Sequence, residues 1–240
     1  MIKDSYPQLD LPQVDKAHPF IVVRLDGVRF GTYTAELDMP QDKKFMSDMD
    51  AVLKMCVEEF AAYAGYVVSD EISLIFHQDE TRQLPFDGKV SKICSVMAGF
   101  ASAALNQQRP DQFGWFDARI IPLSDAENVS AYLHSRRSHG FRGAIGALGM
   151  HIFPDHHKRF DRISTKDRIT MLSEVGADFR NILTPRFYEG AVCVKERYMK
   201  HTSWIDKRTG EEHTTVAERS RWIVKPASRA VVDGIAKEGT

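Results

Sequence analysis

An α+β fold, an antiparallel sheet with helices packed on one face, is what this 240-residue sequence predicts. Three observations carry it. Short runs rich in β-branched and aromatic residues at 20–26, 66–77 and 115–122 read as strands. Residues 43–63 and 90–106 between them read as helices. The resulting order, β-α-β-β-α-β-α, is that of a split βαβ or ferredoxin-like unit, an arrangement also used by the palm of many polymerases and cyclases.

The elements follow in order. Residues 1–19 are polar and punctuated by prolines, an arm leading into the first strand, Phe20–Asp26. Gly27–Thr34 is a loop whose two glycines let several backbone N–H groups face an anion. From Lys43 to Tyr63, Phe45, Met49, Val52, Leu53, Cys56, Val57 and Phe60 recur at helical spacing, so the methionines there are core. Tyr66–His77 is a hairpin interrupted by an acidic step, and Val90–Asn106 is a helix whose small residues suit close packing on a sheet. Trp115–Pro122 is a strand and Asp125–Arg136 a helix. Past residue 137 the pattern loosens. Helical signals return over 165–184, a strand over Gly190–Lys200, and a hairpin over 201–225 around Lys207–Gly210. The expected division is a palm-like catalytic domain over 1–136 and a basic C-terminal extension, helical and β-hairpin, over 137–240.

Composition bounds the function. With 43% hydrophobic and 27% charged residues the chain is of ordinary globular type. No apolar run approaches the roughly 18 residues of a membrane span. Met1–Ser5 opens no signal-peptide core, and Cys56, Cys94 and Cys193 stand apart in apolar surroundings, so reduced thiols and a cytoplasmic protein are expected. The net charge of −1 hides an asymmetry. Residues 1–80 hold 7 Lys/Arg against 15 Asp/Glu; residues 135–168 hold 8 against 3 and residues 180–229 hold 11 against 6. An acidic half beside a basic one suits an enzyme holding a metal in one place and a polyanion in another; solvated helix faces give the same counts.

The chemistry concentrates in two carboxylates. Ile21–Leu25 delivers Asp26 followed by Gly27, and Tyr66–Val68 delivers Ser69-Asp70-Glu71. Buried carboxylates are costly unless paired or bound to metal, so two brought together by adjacent strands suit a Mg²⁺ site for phosphate chemistry. Each segment alone is also a plain turn. His151, His156 and His157 lack the cysteine or acid spacing of a zinc site. Trp204 and Trp222, with Arg219, Arg221 and Lys225, either stack and clamp RNA or close a small core under a basic surface.

At these residues the chain resembles the tRNA-His guanylyltransferase family and its Thg1-like relatives, which add nucleotides to RNA 5′ ends in the 3′→5′ direction. The matching stretches are Val22–Gly27 with Phe30, Pro40 with Asp42, and Ser69–Ser73. Lys92 with Ser95, Ala98–Ala103, Phe116–Arg119 and Pro122-Leu123 follow, and a weaker echo runs from Met171 to Val192. The resemblance implies that Asp26 and Asp70, with the carbonyl of Gly27, hold two Mg²⁺ ions. Backbone groups of Gly27, Val28, Arg29, Phe30 and Gly31 would cradle a nucleoside triphosphate, GTP or another NTP, with ATP a further substrate. Ser69 would touch that triphosphate, Arg24 and Lys92 would neutralise its charge, and Asp42 would lie near the base. Relatives are homotetramers acting on tRNA, so tRNA or a tRNA-like RNA is the implied partner.

One stretch departs from the family. Ser135–Gly146 aligns with a motif of relatives, but only Arg136, Arg142 and Ala144 match; the family's His is Phe141, and its Asn residues are Gly143 and Gly146. His139 lies two residues early, and Met39 replaces the family Lys before Pro40. A Gly- and Arg-rich loop at 141–146 can still touch phosphate, with Arg136, Arg137 and Arg142 as RNA contacts. The expected function is therefore a Mg²⁺-dependent nucleotidyltransferase of RNA 5′ ends. A cyclase-like palm enzyme of free NTP, or a non-catalytic nucleotide- or RNA-binding relative, is the alternative.

Overall fold

The computed structural model describes residues 12–156, 160 and 162–238. Within them, six strands form one antiparallel sheet: β1 Phe20–Gly27, β2 Ala64–Val68, β3 Glu71–His77, β4 Phe116–Leu123, β5 Ala191–Ile205 and β6 Glu212–Pro226. Their order is β4-β1-β3-β2-β5-β6, so the first four strands have the ferredoxin-like arrangement expected and β5 extends that sheet at its β2 edge. α1 is a single turn, Phe30–Tyr33; α2 spans Lys43–Glu59 and α3 Val90–Gln108.

Strand alternation builds two cores from the same strands. Ile21, Val23 and Leu25 of β1 face α2 and α3, packing with Met49, Leu53, Ile93 and Met97. Phe20 and Val22 point the other way, toward Val129 and Leu133 of α4 (Ala126–Ile152) and Val232 of the C-terminal helix α8 (Arg229–Glu238). The palm thus carries its two helices on one face, while the C-terminal part covers the opposite face. α2 begins at an Asp42 cap that accepts from the Phe45 amide at 2.6 Å. It ends at Glu59 rather than Tyr63; Ala61, with φ of 50°, turns the chain toward β2.

α4 corrects the sequence reading. It continues through Arg136 to Ile152, so Phe141–Gly146 is helix and not a loop. Gly140, Gly143, Gly146 and Gly149 mimic a loop composition, but two of them serve close packing. A Cβ on Gly140 would sit 2.3 Å from Val68 Cγ2, and one on Gly149 would sit 1.9 Å from the Phe160 ring. The second half of α4 lays Ala144, Ile145 and Leu148 over Phe160, Leu172, Phe179 and Leu183, a third core formed with α5 (Thr165–Glu174), α6 (Phe179–Ile182) and α7 (Pro185–Glu189).

The C-terminal strands are longer than expected. β5 and β6 each run 15 residues and turn at Asp206–Glu211, yet only Ala191–Cys193 pairs with β2. The rest is a two-stranded ribbon with Trp204, Ile205 and Val216 exposed. The two tryptophans part company: Trp222 packs on the main core under Lys195, and Trp204 stacks on His213 at 5.5 Å far out on the ribbon. All three cysteines are free, and burial pushes the Cys56 and Cys193 thiols up to about 12, as expected of inert core residues. His157 lies outside the described residues; among them, no group of three or more His, Cys, Asp or Glu is placed to hold a metal.

The glycines of α4 give opposite expectations. Gly140→Ala drives a methyl into Val68 and should lower stability by about 1–2 kcal/mol despite a better helix former. Gly143→Ala meets nothing within 4 Å and should raise stability by about 0.5–1 kcal/mol. Urea denaturation of the two variants checks both signs.

Candidate active site

Register places the chemistry. Asp26, at the end of β1, stands opposite Glu71 of β3 on one side and Asp117 of β4 on the other. Three carboxylates therefore lie in one row across adjacent strands, where like charges oppose pairing. Two residues along, the same face presents Arg24, with Arg119 and Ser73 as its neighbours. Acidic and basic rows lie side by side. Arg119 reaches Asp117 at 3.2 Å and Asp26 at 3.7 Å, and Arg24 approaches Glu71 at 3.9 Å.

α4 closes the row from above. Tyr132, Arg136 and His139 recur at i, i+4 and i+7, a single helix face. Tyr132 shares a 2.8 Å hydrogen bond with Ser73. Arg136 donates through Nε and Nη2 to the two Glu71 oxygens at 2.6 and 2.5 Å. This bidentate pair neutralises the buried Glu71 carboxylate, whose pKa burial still holds above its ordinary value.

Asp70 sits in the β2–β3 turn, after Ser69, whose φ is 52°. Burial raises its carboxyl pKa; hydrogen bonds from the Ser69 side chain and its own backbone pull it down, the Asp26 charge raises it again, and His139 lowers it. Asp26 and Asp70 are thus brought within electrostatic reach of each other, as the sequence required. Glu71, ranked below them, is committed to Arg136.

The loop after β1 is pinned rather than free. The Val28 amide donates to the Trp115 carbonyl at 2.9 Å, and Arg29 takes a left-handed φ of 58° before α1. A Cβ on Gly27 would sit 2.3 Å from the Phe30 ring, so glycine is required for that ring to fold back. Phe30 is a core residue stacked on Tyr33 at 4.5 Å. Gly31 and Arg29 are exposed, with backbone amides of the first turn free of helical partners.

Other expected residues are placed differently. Asp42 is the α2 cap. Lys92 stands in the first turn of α3, over the Phe86 ring, whereas the opposite end of that helix, at Asn106, bonds Gly114 beside the Trp115–Val28 contact. About 20 Å of helix separates those ends, so Lys92 is not brought to Asp26 within this chain. Arg136 and Arg137 are engaged in ion pairs, Arg137 with Glu189 at 2.8 Å, while Arg142 is exposed. Arg136 is therefore a partner of Glu71 and not an open RNA contact. Phe141 packs edge-on to Phe179 and Tyr188, so it cannot stand in for a polar group. Asp117 and Arg119, part of a matching stretch, and His139, two residues early in the aligned motif, have no site role in the sequence alone, because only strand register and the full length of α4 bring them here.

The donor set suits a divalent cation. Asp26 has one ion partner, an arginine that it shares with Asp117, and Asp70 makes no ion pair among the described residues. Two carboxylates that raise each other's cost of ionisation, one of them desolvated, favour a proton or a dication between them.

Two outcomes follow. Asp70 has a raised folded-state pKa, so its ionisation costs stability as pH rises through that value. Asp70→Asn should therefore melt higher than the parent at pH 7 without metal, with the gap closing in acid, followed by calorimetry. Arg136→Ala leaves Glu71 buried and unpaired and should cost about 3–5 kcal/mol, part of it recovered by adding Glu71→Gln, measured by urea denaturation of the two variants.

Comparison with known proteins bears on the fold and the family. The sequence model described as tRNAHis guanylyltransferase matches residues 9–130, which hold both carboxylates. An uncharacterized protein of Acanthamoeba polyphaga mimivirus is 32% identical over 95 residues, 36% of this chain and 32% of that protein, so the match spans about a third of the viral relative. Among solved structures, a bacterial tRNA(His) guanylyltransferase-like protein in complex with ATP superposes with a TM-score of 0.74 at 25% identity, covering 94% of this chain and 93% of that one. Its complex with GTP gives 0.72 at 23%, covering 94% and 92%. The Saccharomyces cerevisiae tRNA(His) guanylyltransferase gives 0.66 at 18%, covering 76% and 88%. The fold is theirs, and the sequence match takes in more than half of the residues: the chain belongs to the tRNA-His guanylyltransferase (Thg1) family.

Proposed function

We propose that the protein is a Mg²⁺-dependent nucleotidyltransferase that adds nucleotides in the 3′→5′ direction to the 5′ end of tRNA or a tRNA-like RNA. The observation that carries the reading is the carboxylate pair Asp26 and Asp70, left without a dedicated cationic partner at the open end of a palm sheet. Asp26, Asp70 and the Gly27 carbonyl are the ligands of this reading. Magnesium held there would supply charge neutralisation for the transferring phosphoryl group and its leaving oxygens.

The chain supplies the positioning. Free amides from Arg29 to Gly31, on a loop pinned by Val28 and Phe30, face the triphosphate of an incoming GTP or other NTP. Ser69 is exposed beside Asp70 and offers its hydroxyl to the same group. Arg24 keeps a buried Nε without a hydrogen-bond partner, 3.9 Å from Glu71, and would neutralise phosphate charge at the same row. In the reaction, the 3′-hydroxyl of the incoming NTP attacks the α-phosphorus, the one bonded to the 5′ oxygen of the RNA. Pyrophosphate leaves if that end is a triphosphate, and AMP leaves if ATP has first adenylated a monophosphate.

The replaced motif decides between those two ends. Phe141 is in a hydrophobic core and Gly143 and Gly146 carry no donors, so the polar groups relatives keep at these positions are lacking. A 5′-triphosphorylated RNA and a templated repair role fit better than dedicated addition of G to tRNA-His. In this reading residues 1–136 carry the chemistry and 137–240 complete the fold and contact RNA. The protein is a cytoplasmic homotetramer, which lets one protomer's basic half serve another's carboxylates; among the described residues, no helix is long and apolar enough to cross a membrane.

The deciding assay supplies Mg²⁺, labelled GTP and a tRNA lacking its first nucleotide, bearing either a 5′ triphosphate or a 5′ monophosphate with ATP. Label should enter the triphosphate RNA preferentially, and Asp70→Ala should lower incorporation by at least about a hundredfold. No label in either RNA would overturn the polymerase reading in favour of an enzyme of free nucleotides.

A further inference from the structure

On the flank of α4 away from the carboxylate row lies a cleft of about 630 Å³, between that helix and the segment holding α6 and α7. Its lining is unusual for a surface hollow. Arg137, Arg142 and Arg180 contribute three guanidinium groups against the single carboxylate of Glu189, and Ser138 and Thr165 add hydroxyls. Glu189 takes only one donor, Arg137 Nη2 at 2.8 Å, and the Arg137 Nε is buried with no hydrogen-bond partner. A buried, unsatisfied guanidinium N–H costs about 1–3 kcal/mol unless an acceptor arrives. Arg142 pairs with nothing among the described residues. Arg180 has only a 3.8 Å contact with Asp178 and lies over the Phe179 ring at 4.5 Å.

The wall of the cleft is aromatic. Phe141, Phe179 and Tyr188 meet edge to face, with centroids 5.4–6.2 Å apart. Guanidinium donors beside aromatic faces are the combination that recognises a phosphate together with an unstacked base. The cleft is also well placed. Arg137 and Ser138 lie between Arg136, which holds Glu71, and His139, which faces Asp70. Neighbouring residues of one helix thus face the cleft and the site in turn, offset by about 1.5 Å of axis per residue.

We propose that this cleft is a second anion subsite, taking a phosphate ester of the RNA strand with its base against the partly exposed rings of Phe141 or Tyr188. The assignment of RNA rests on the function proposed above; the phosphate chemistry does not. Replacement of the family's polar residue by Phe141 then has a positive role, since that ring forms part of the wall.

The test is charge reversal at the two exposed arginines, Arg142→Glu with Arg180→Glu, and separately the mild Arg142→Gln, each first shown to melt as the parent does. The probes are a 5′-phosphorylated single-stranded RNA of about 12 nucleotides, ATP, and inorganic triphosphate. The double variant should bind the RNA at least tenfold more weakly, and its log affinity against log salt should be shallower by about 1.4, two phosphate contacts' worth. Arg142→Gln should give a smaller loss in the same direction. Loss confined to ATP and triphosphate would keep the anion subsite and overturn the RNA assignment. Unchanged affinity and salt slope for all three probes would overturn the subsite itself. Nucleotide addition, followed in parallel, separates this inference from the proposed function. Weakened RNA binding in the variant of a chain that adds no nucleotide sustains the cleft alone; addition abolished by Asp70→Ala with an inert cleft sustains the function alone.

Discussion

The bidentate pair between Arg136 and Glu71 is the interaction on which the site depends. The antiparallel register of β1, β3 and β4 forces Asp117, Asp26 and Glu71 into one row, and Asp70 follows at the adjoining turn. Four carboxylates in so small a space repel one another. Arg136 removes one from the account by holding both Glu71 oxygens, and Arg119 screens two more from the β4 side. What remains uncompensated is Asp70, with a share of Asp26. The residual negative charge is thus focused at the one corner of the sheet where a dication has something to gain.

That pair also explains why α4 is so long and so rich in glycine. A helix that ended at Arg136 could reach Glu71, but nothing would hold its end down. Gly140 lets the backbone approach Val68, the residue before Ser69, so the turn carrying Asp70 is gripped between an ion pair and a close backbone contact. Beyond it, Ala144, Ile145 and Leu148 anchor the helix in a separate core. Each glycine inside a helix costs up to about 1 kcal/mol against alanine. At Gly140 and Gly149 the close approach gained offsets that cost; Gly143 carries no such compensation.

The sequence made the palm legible for a physical reason. β1 and β3 are buried on both faces and read as continuous apolar runs, α2 has one apolar stripe, and the acids stand where those runs stop. Such signals are local. The cross-strand partners of Asp26 are not local: Asp117 and Glu71 are set by register, which no stretch of sequence displays by itself. Lys92 was drawn in by resemblance and falls at the wrong end of α3 for this chain's own carboxylates. Glycine at 140, 143 and 146 was misread because composition treats it as a loop former, whereas here it is set by what the helix must approach. His139 followed the same fate, since its distance from the aligned position matters less than its place one turn beyond Arg136.

Charge distribution completes the argument. Of the 15 acids in residues 1–80 the row and its turn use three, Asp26, Asp70 and Glu71, and of the arginines in the basic middle Arg136 answers one of them. Arg136 is spent internally on Glu71, and counting it as a polyanion contact overstates the free positive surface; Arg137 gives one nitrogen to Glu189 and keeps its Nε unpaired. Arg142, unpaired among the described residues, and Arg180, with a 3.8 Å contact to Asp178, stand on the rim of one cleft beside aromatic side chains. In the proposed function, an RNA strand whose 5′ end meets Asp26 and Asp70 passes its next phosphates along one side of α4. The sheet side is closed by Tyr132 and Ser73, so the flank with unspent arginines is the electrostatically favoured way out.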